Sequence, residues 1–382
     1  MLCWSFRGVL AAALLLLIAP AAAAQQTAPQ QTAPQQLPPP DLPAAANDSA
    51  ASDSADGPAL GTLAFPTSGA TEAARQAFRT GVLALHSFWY PEARDRFRRA
   101  QRLDSGFAMA YWGEAMTHEH PIWEQHDRDA GRAVFARLDS VRAARGGTLD
   151  VTAREQAYLD ALRTLYSEGA GDGDDRIDER RAAYAEQMTR LAERFPEDEE
   201  ATIFAALARM GAPSFDLEQA SEVVDVAAPL EELYRKRPKH PGVLHYLIHA
   251  YDSETFAPMG RRMARTYAQV APSSSHALHM PSHIFRELER WEAMAASNVD
   301  AYRASVEWQR ESNRPLRMRD FHAYRWLFDA YIAQEKYDRA GRLVERLDGL
   351  IEQADARGED PGYMPDLLDR LRTHLDERTM TE

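Results

Sequence analysis

Two histidine pairs, His245 with His249 and His279 with His283, sit at i, i+4 spacing. Each follows a proline by the same interval, and those prolines, Pro238 and Pro272, lie 34 residues apart. An α-helix turns about 100° per residue, so an i, i+4 pair returns to nearly one face and can offer two imidazoles to one ion. Neutral imidazole ligates Zn²⁺ or Cu²⁺ near pH 7, and a second pair one helix away would complete four ligands, with Asp252 beside them. His276 shares the helical sector of His279 and His283. The competing reading packs the same rings on Tyr246, Tyr251, Phe285 or Trp291 and bonds their nitrogens to backbone. Seven of the twelve histidines fall between 240 and 322, which favours a shared role over scattered packing.

Other candidates carry less chemistry. The His-Glu-x-x-His zinc protease motif is absent, and His118-Glu119-His120 puts its two rings about 200° apart on a helix, unsuited to one ion. That trio reads as a helix end before Pro121. Ser273-Ser274-Ser275 reads as a helix start. The run Gly169 to Asp175 does not match a calcium loop and reads as a connection. Phe88-Trp89-Tyr90 and Tyr111-Trp112 recur at helical spacing, the usual signature of helix-to-helix core.

The elements that must hold these side chains begin after an N-terminal segment. Arg7 followed by the apolar run through Ala19 and the small residues Ala22-Ala23-Ala24 reads as an export signal over 1–24. The run is shorter than the roughly 20 residues of a bilayer span, so no transmembrane segment is expected in the mature chain. Residues 25–59, rich in Gln, Pro and Ala, read as a spacer with little to bury. The lone cysteine, Cys3, falls in the leader, so stability must come from buried apolar surface rather than disulfides. The formal charge is −14. Such acidity excludes nucleic acid as a default partner.

Residues 60–382 alternate helical apolar stripes with short Pro, Gly or Asp breaks, predicting an all-α domain. Phe107 to Thr117 pairs with Ala130 to Ala144, and Thr152 to Tyr166 with Ile177 to Phe195. Tyr324, Leu327, Phe328 and Tyr331 are followed by Ala340, Val344 and Leu347; Gly81, Ala84, Ala93, Phe97 and Ala100 repeat the same offsets. These intervals resemble the tetratricopeptide repeat. Segments such as Ala108 to Gly113, His240-Pro241-Gly242 and His276 to His283 look like those of exported bacterial tetratricopeptide proteins. The resemblance implies a right-handed α-solenoid of about seven helix pairs, capped by a helix from Pro365 to Leu375.

It also implies that repeat positions 2, 5, 9 and 12 of each first helix line a concave groove. His276 and His322 take position 2, and His245, His279 and Arg325 take position 5. His249, His283 and Asp329 take position 9; Asp252 and Arg286 take position 12. Trp112, with Met109 and Met116, maps to an apolar groove floor. Pro281 interrupts the sixth repeat's first helix, so a kink or a fresh helix start is expected there. The expected protein is a periplasmic or extracellular binding scaffold whose groove takes a protein segment or a small polar ligand. The alternative is a metal-dependent enzyme or metal-binding protein, with zinc or copper held by His245, His249, His279 and His283 and Asp252 orienting a ligand or water.

Overall fold

Six of the helices start on a short polar side chain that caps the first turn. In the computed structural model, which describes residues 58–167 and 176–380, Thr71, Asp127, Thr152, Asp198, Ser274 and Asp320 each accept from amides of a first turn. Thr152 and Glu155 form a reciprocal capping box. The expected export signal, all but residues 58–59 of the spacer, and the Gly169 to Asp175 connection lie outside the described residues.

The described chain is all-helical apart from one two-residue strand pair. The first helices are α1 (Glu72–His86), α2 (Tyr90–Leu103), α3 (Ala108–Met116) and α4 (Arg128–Ala144). Next come α5 (Ala153–Leu165), α6 (Ile177–Arg194), α7 (Glu199–Met210) and α8 (Ala220–Lys236). Then follow α9 (Pro241–Ala250), α10 (Ala257–Val270), α11 (Ser275–His279) and α12 (Pro281–Glu287). The last four are α13 (Trp291–Glu311), α14 (Phe321–Ala333), α15 (Tyr337–Ala356) and α16 (Met364–Thr379). Most helices pack on their neighbours in sequence, and α1, α3 and α5 also pack side by side.

One long-range contact shapes the site: α1 packs against α9. Gly242 makes it possible, because a Cβ there would lie 2.5 Å from Nδ1 of His86. The interior beneath is aromatic. Phe65 lies 5.5 Å from Phe78, 5.8 Å from Trp112 and 5.3 Å from Tyr158 between ring centroids, and Trp112 lies 5.2 Å from Phe204. Each such ring contributes about 1.5–3 kcal/mol when fully buried. Trp112 and Met109 are therefore core, not groove floor, because every residue of α3 is buried.

The strand pair, β1 (Glu119–His120) and β2 (Gln125–His126), was not expected; a single turn of 3-10 helix over Pro121–Trp123 joins its arms. The preceding helix ends at Met116, before His118-Glu119-His120, and Pro121 opens the 3-10 turn. Glu119 then pins the hairpin by accepting from Nε of Arg181 at 2.8 Å and Nδ1 of His126 at 2.5 Å. Trp123 is carried at its tip.

Candidate metal centre

Pro281 cannot donate the amide that would bond Ala277, yet Met280 keeps helical dihedrals, φ −52° and ψ −35°. The helix is therefore broken into α11 and α12 without reversing. This keeps His276, His279 and His283 close while letting the first and last reach different neighbours. His245 and His249 arrive from α9, and His322 from α14.

The rings divide into two trios. His245, His249 and His276 form one, His279, His283 and His322 the other, and within each trio one nitrogen per ring lies within 4.8 Å of the others. Nε2 of His245 is 3.1 Å from Nε2 of His249 and 3.1 Å from Nε2 of His276. Nε2 of His279 is 3.1 Å from Nε2 of His283. Two nitrogens 3.1 Å apart on bonds of about 2.05 Å subtend about 98°, compatible with shared coordination. The four residues expected on one ion, His245, His249, His279 and His283, fall in different trios. Each pair takes its third member from position 2 of the repeat instead, because the kink at Pro281 hands His276 to the first pair.

Outer partners fix which nitrogen is bare in three of the six rings. Nδ1 of His245 donates to the backbone carbonyl of His86 at 2.6 Å. Nδ1 of His283 donates to Oδ2 of Asp252 at 2.6 Å. Nδ1 of His279 meets Oδ1 of Asn298 at 2.6 Å, and the Asn298 amide is oriented because its Nδ2 donates to the Met294 carbonyl at 2.8 Å. In the neutral rings these three Nε2 atoms therefore carry lone pairs, two of them facing each other between His279 and His283. Asp252 thus braces a ring rather than completing a ligand set.

Burial favours the neutral form of five of these rings. It pushes His245, His276 and His279 well below the usual range, with neighbouring imidazoles adding to the effect. His249 is pushed down to about 3 and His322 to about 4, again chiefly by burial. Neutral nitrogens are what a metal requires.

Five of the six histidines are buried, and His322 alone stays open to solvent. His245 and His279 have no accessible surface. The cause is the α1–α9 contact, which brings the turn after α1 onto the rings. Phe88, at a left-handed φ of 49°, lies 4.4 Å from His245, 5.7 Å from His249 and 5.4 Å from His276 between centroids. Trp326 walls the second trio, 4.3 Å from His283 and 5.0 Å from His279. Trp123 stands 5.3 Å from His276 and 6.5 Å from His322.

The charged residues expected beside the rings pair among themselves. Arg286 contacts Oδ1 of Asp252 at 3.5 Å and Glu287 at 2.6 Å, with its guanidinium over Trp326. Arg325 pairs with Asp329 at 3.6 Å. These side chains form a more open ledge beside His322.

Sequence reasoning missed a third buried group. Glu200 accepts from Nε2 of His86 at 2.8 Å and from Nε2 of His240 at 2.9 Å. Nδ1 of His86 then accepts from the Tyr246 hydroxyl at 3.0 Å. Burial alone would push the Glu200 carboxyl up, but the two imidazoles outweigh it and hold it down to about 2. With its ring nitrogens satisfied, this group is a brace that fixes His86, and through the His86 carbonyl it fixes His245. The only local signal was an acidic first turn in α7, which helix capping explains equally well.

Comparison with known proteins finds no family model and no curated relative that matches the sequence.

Proposed function

We propose that this protein binds transition-metal ions at two adjacent three-histidine sites, His245/His249/His276 and His279/His283/His322. One observation carries the reading: Nε2 of His279 and Nε2 of His283 face each other at 3.1 Å while both Nδ1 atoms are committed as donors. With both rings neutral, two lone pairs so placed repel, and a shared cation removes the repulsion while restoring bonds to both nitrogens. Each braced ring has the outer partner that commonly orients a metal-bound histidine.

The test uses untagged protein, stripped with chelator and reloaded with Zn²⁺ or copper. Bound metal is measured after desalting, alongside thermal unfolding. One to two equivalents retained, with stabilisation of about 2.7 kcal/mol at a hundredfold excess over Kd, is the expected result. No retained metal and an unchanged transition would remove the reading.

The scaffold carrying this centre is proposed to be a tightly wound right-handed solenoid of tetratricopeptide-like pairs. Sequential helix packing and the side-by-side arrangement of α1, α3 and α5 support it. An experimental structure whose successive pairs rotate in no common sense would overturn this. Export is proposed from the leader sequence; N-terminal sequencing should find Gln25 first, and a retained Met1 counts against it.

The exposed side chains of Arg286 and Arg325 favour a second role, recognition of a carboxylate-bearing guest on the ledge beside His322. Acidic-peptide binding that survives a double Arg286→Ala, Arg325→Ala change would exclude that role.

A further inference from the structure

The charge and donor count of the two trios select among metals. Building on the metal-binding reading, we infer that each trio takes one cuprous ion, so that the protein holds a pair of Cu(I) rather than a pair of divalent ions.

The six proposed ligands are all imidazoles, and neutral imidazoles bring no negative charge to offset that of the ions. Nearby carboxylates are already engaged. Asp252 is bonded to His283 and lies 3.5 Å from Arg286. Asp329 pairs with Arg325 at 3.6 Å. Asp320 accepts from Ser275 at 2.5 Å and caps α14 through the Ala323 amide at 2.8 Å. Two dications in this setting would repel about fourfold more strongly than two monocations at the same separation. Desolvation works in the same direction, because its cost rises steeply with ionic charge.

Coordination number agrees. Structural Zn²⁺ sites close with four protein ligands, and catalytic ones add water or substrate to three. Each group here comprises three residues. Phe88 presents hydrocarbon to all three rings of the first trio, and Trp326 to all three of the second. A cuprous ion is satisfied by three imidazoles and needs no water there. The aromatic wall favours it for that reason most of all at the first trio, whose three rings are buried.

The experiment titrates metal-free, untagged protein with Cu(I) under argon against bicinchoninate, whose coloured cuprous complex reports copper the protein does not hold. Two equivalents withheld from the chelator, and not displaced by a tenfold excess of Zn²⁺, is the expected result. His276→Gln and His322→Gln should each lower the count from two to one, with circular dichroism confirming the fold. His322 is the most open of the six rings, so its variant keeps the test usable if His276→Gln fails to fold. Zn²⁺ that fills both trios and displaces Cu(I) overturns the cuprous assignment while leaving metal binding intact. Binding of neither metal overturns both readings. Two equivalents still withheld by folded His322→Gln overturns the division into trios.

Discussion

Nδ1 of His245 donates to the main-chain carbonyl of His86 across 159 residues of sequence, at 2.6 Å. A backbone acceptor cannot be removed by changing a side chain, but it can be moved. The bond is held from behind by the Glu200 brace and by the close approach of Gly242. Most of the expected consequences follow from that chain of contacts.

Gly242→Ala should displace His86, because the new Cβ would sit 2.5 Å from its Nδ1. Overpacking of this kind costs about 1–3 kcal/mol. Urea unfolding checks it, and a midpoint equal to wild type would contradict the tight α1–α9 contact.

Glu200→Gln offers one acceptor where two imidazole N–H groups now bond. It should cost about 1–3 kcal/mol through an unsatisfied buried donor. Because His86 would shift, affinity at the first trio should fall more than at the second. Metal titration of the variant separates the two; equal losses would argue against the brace.

Asp252→Asn preserves shape but removes the charge that orients His283. Losing such an outer partner typically weakens metal binding 10–100-fold. The loss should be confined to the second trio, so one of two equivalents should become easier to extract with chelator. Tight retention of both would show that Asp252 is dispensable.

Acid should destabilise the metal-free protein. Burial, reinforced by the Arg94 guanidinium, pushes His118 down to about 4, whereas an unfolded histidine titrates near 6.5. Between those values the unfolded chain binds a proton that the folded chain does not. Stability therefore falls as pH drops from about 6.5 towards about 4, by up to about 1.4 kcal/mol per unit for this ring. Below about pH 4.5 Glu200 adds its own loss, complete only below its folded value of about 2. Urea midpoints at pH 7.5 and 5 should differ, and His118→Gln should reduce the difference. An identical pH dependence in that variant would rule out this ring as a contributor.

Much of the site was legible because it is written in short-range periodicity. An i, i+4 histidine pair defines a face whatever surrounds it, so His245 with His249 and His279 with His283 could be read directly. The proline at 281 announced its own kink. The partition into trios was not legible, since it depends on how far that kink turns His276 towards α9. The burial of His245 and His249 was not legible, because the turn after α1 reaches them from more than 150 residues away. Glu200 joins His86 and His240 across 114 and 40 residues, so no local spacing pointed to it. Phe88 belongs to an aromatic cluster expected as core, and it also serves as the wall of the first trio.

The turn following the first helix is laid down early in synthesis but meets its destination only after α9 has emerged. Until then the carbonyl and phenyl ring it supplies have nothing to hold. Assembly of the proposed centre is thus tied to completion of the chain, and an ion offered to a growing polypeptide would meet only half of it.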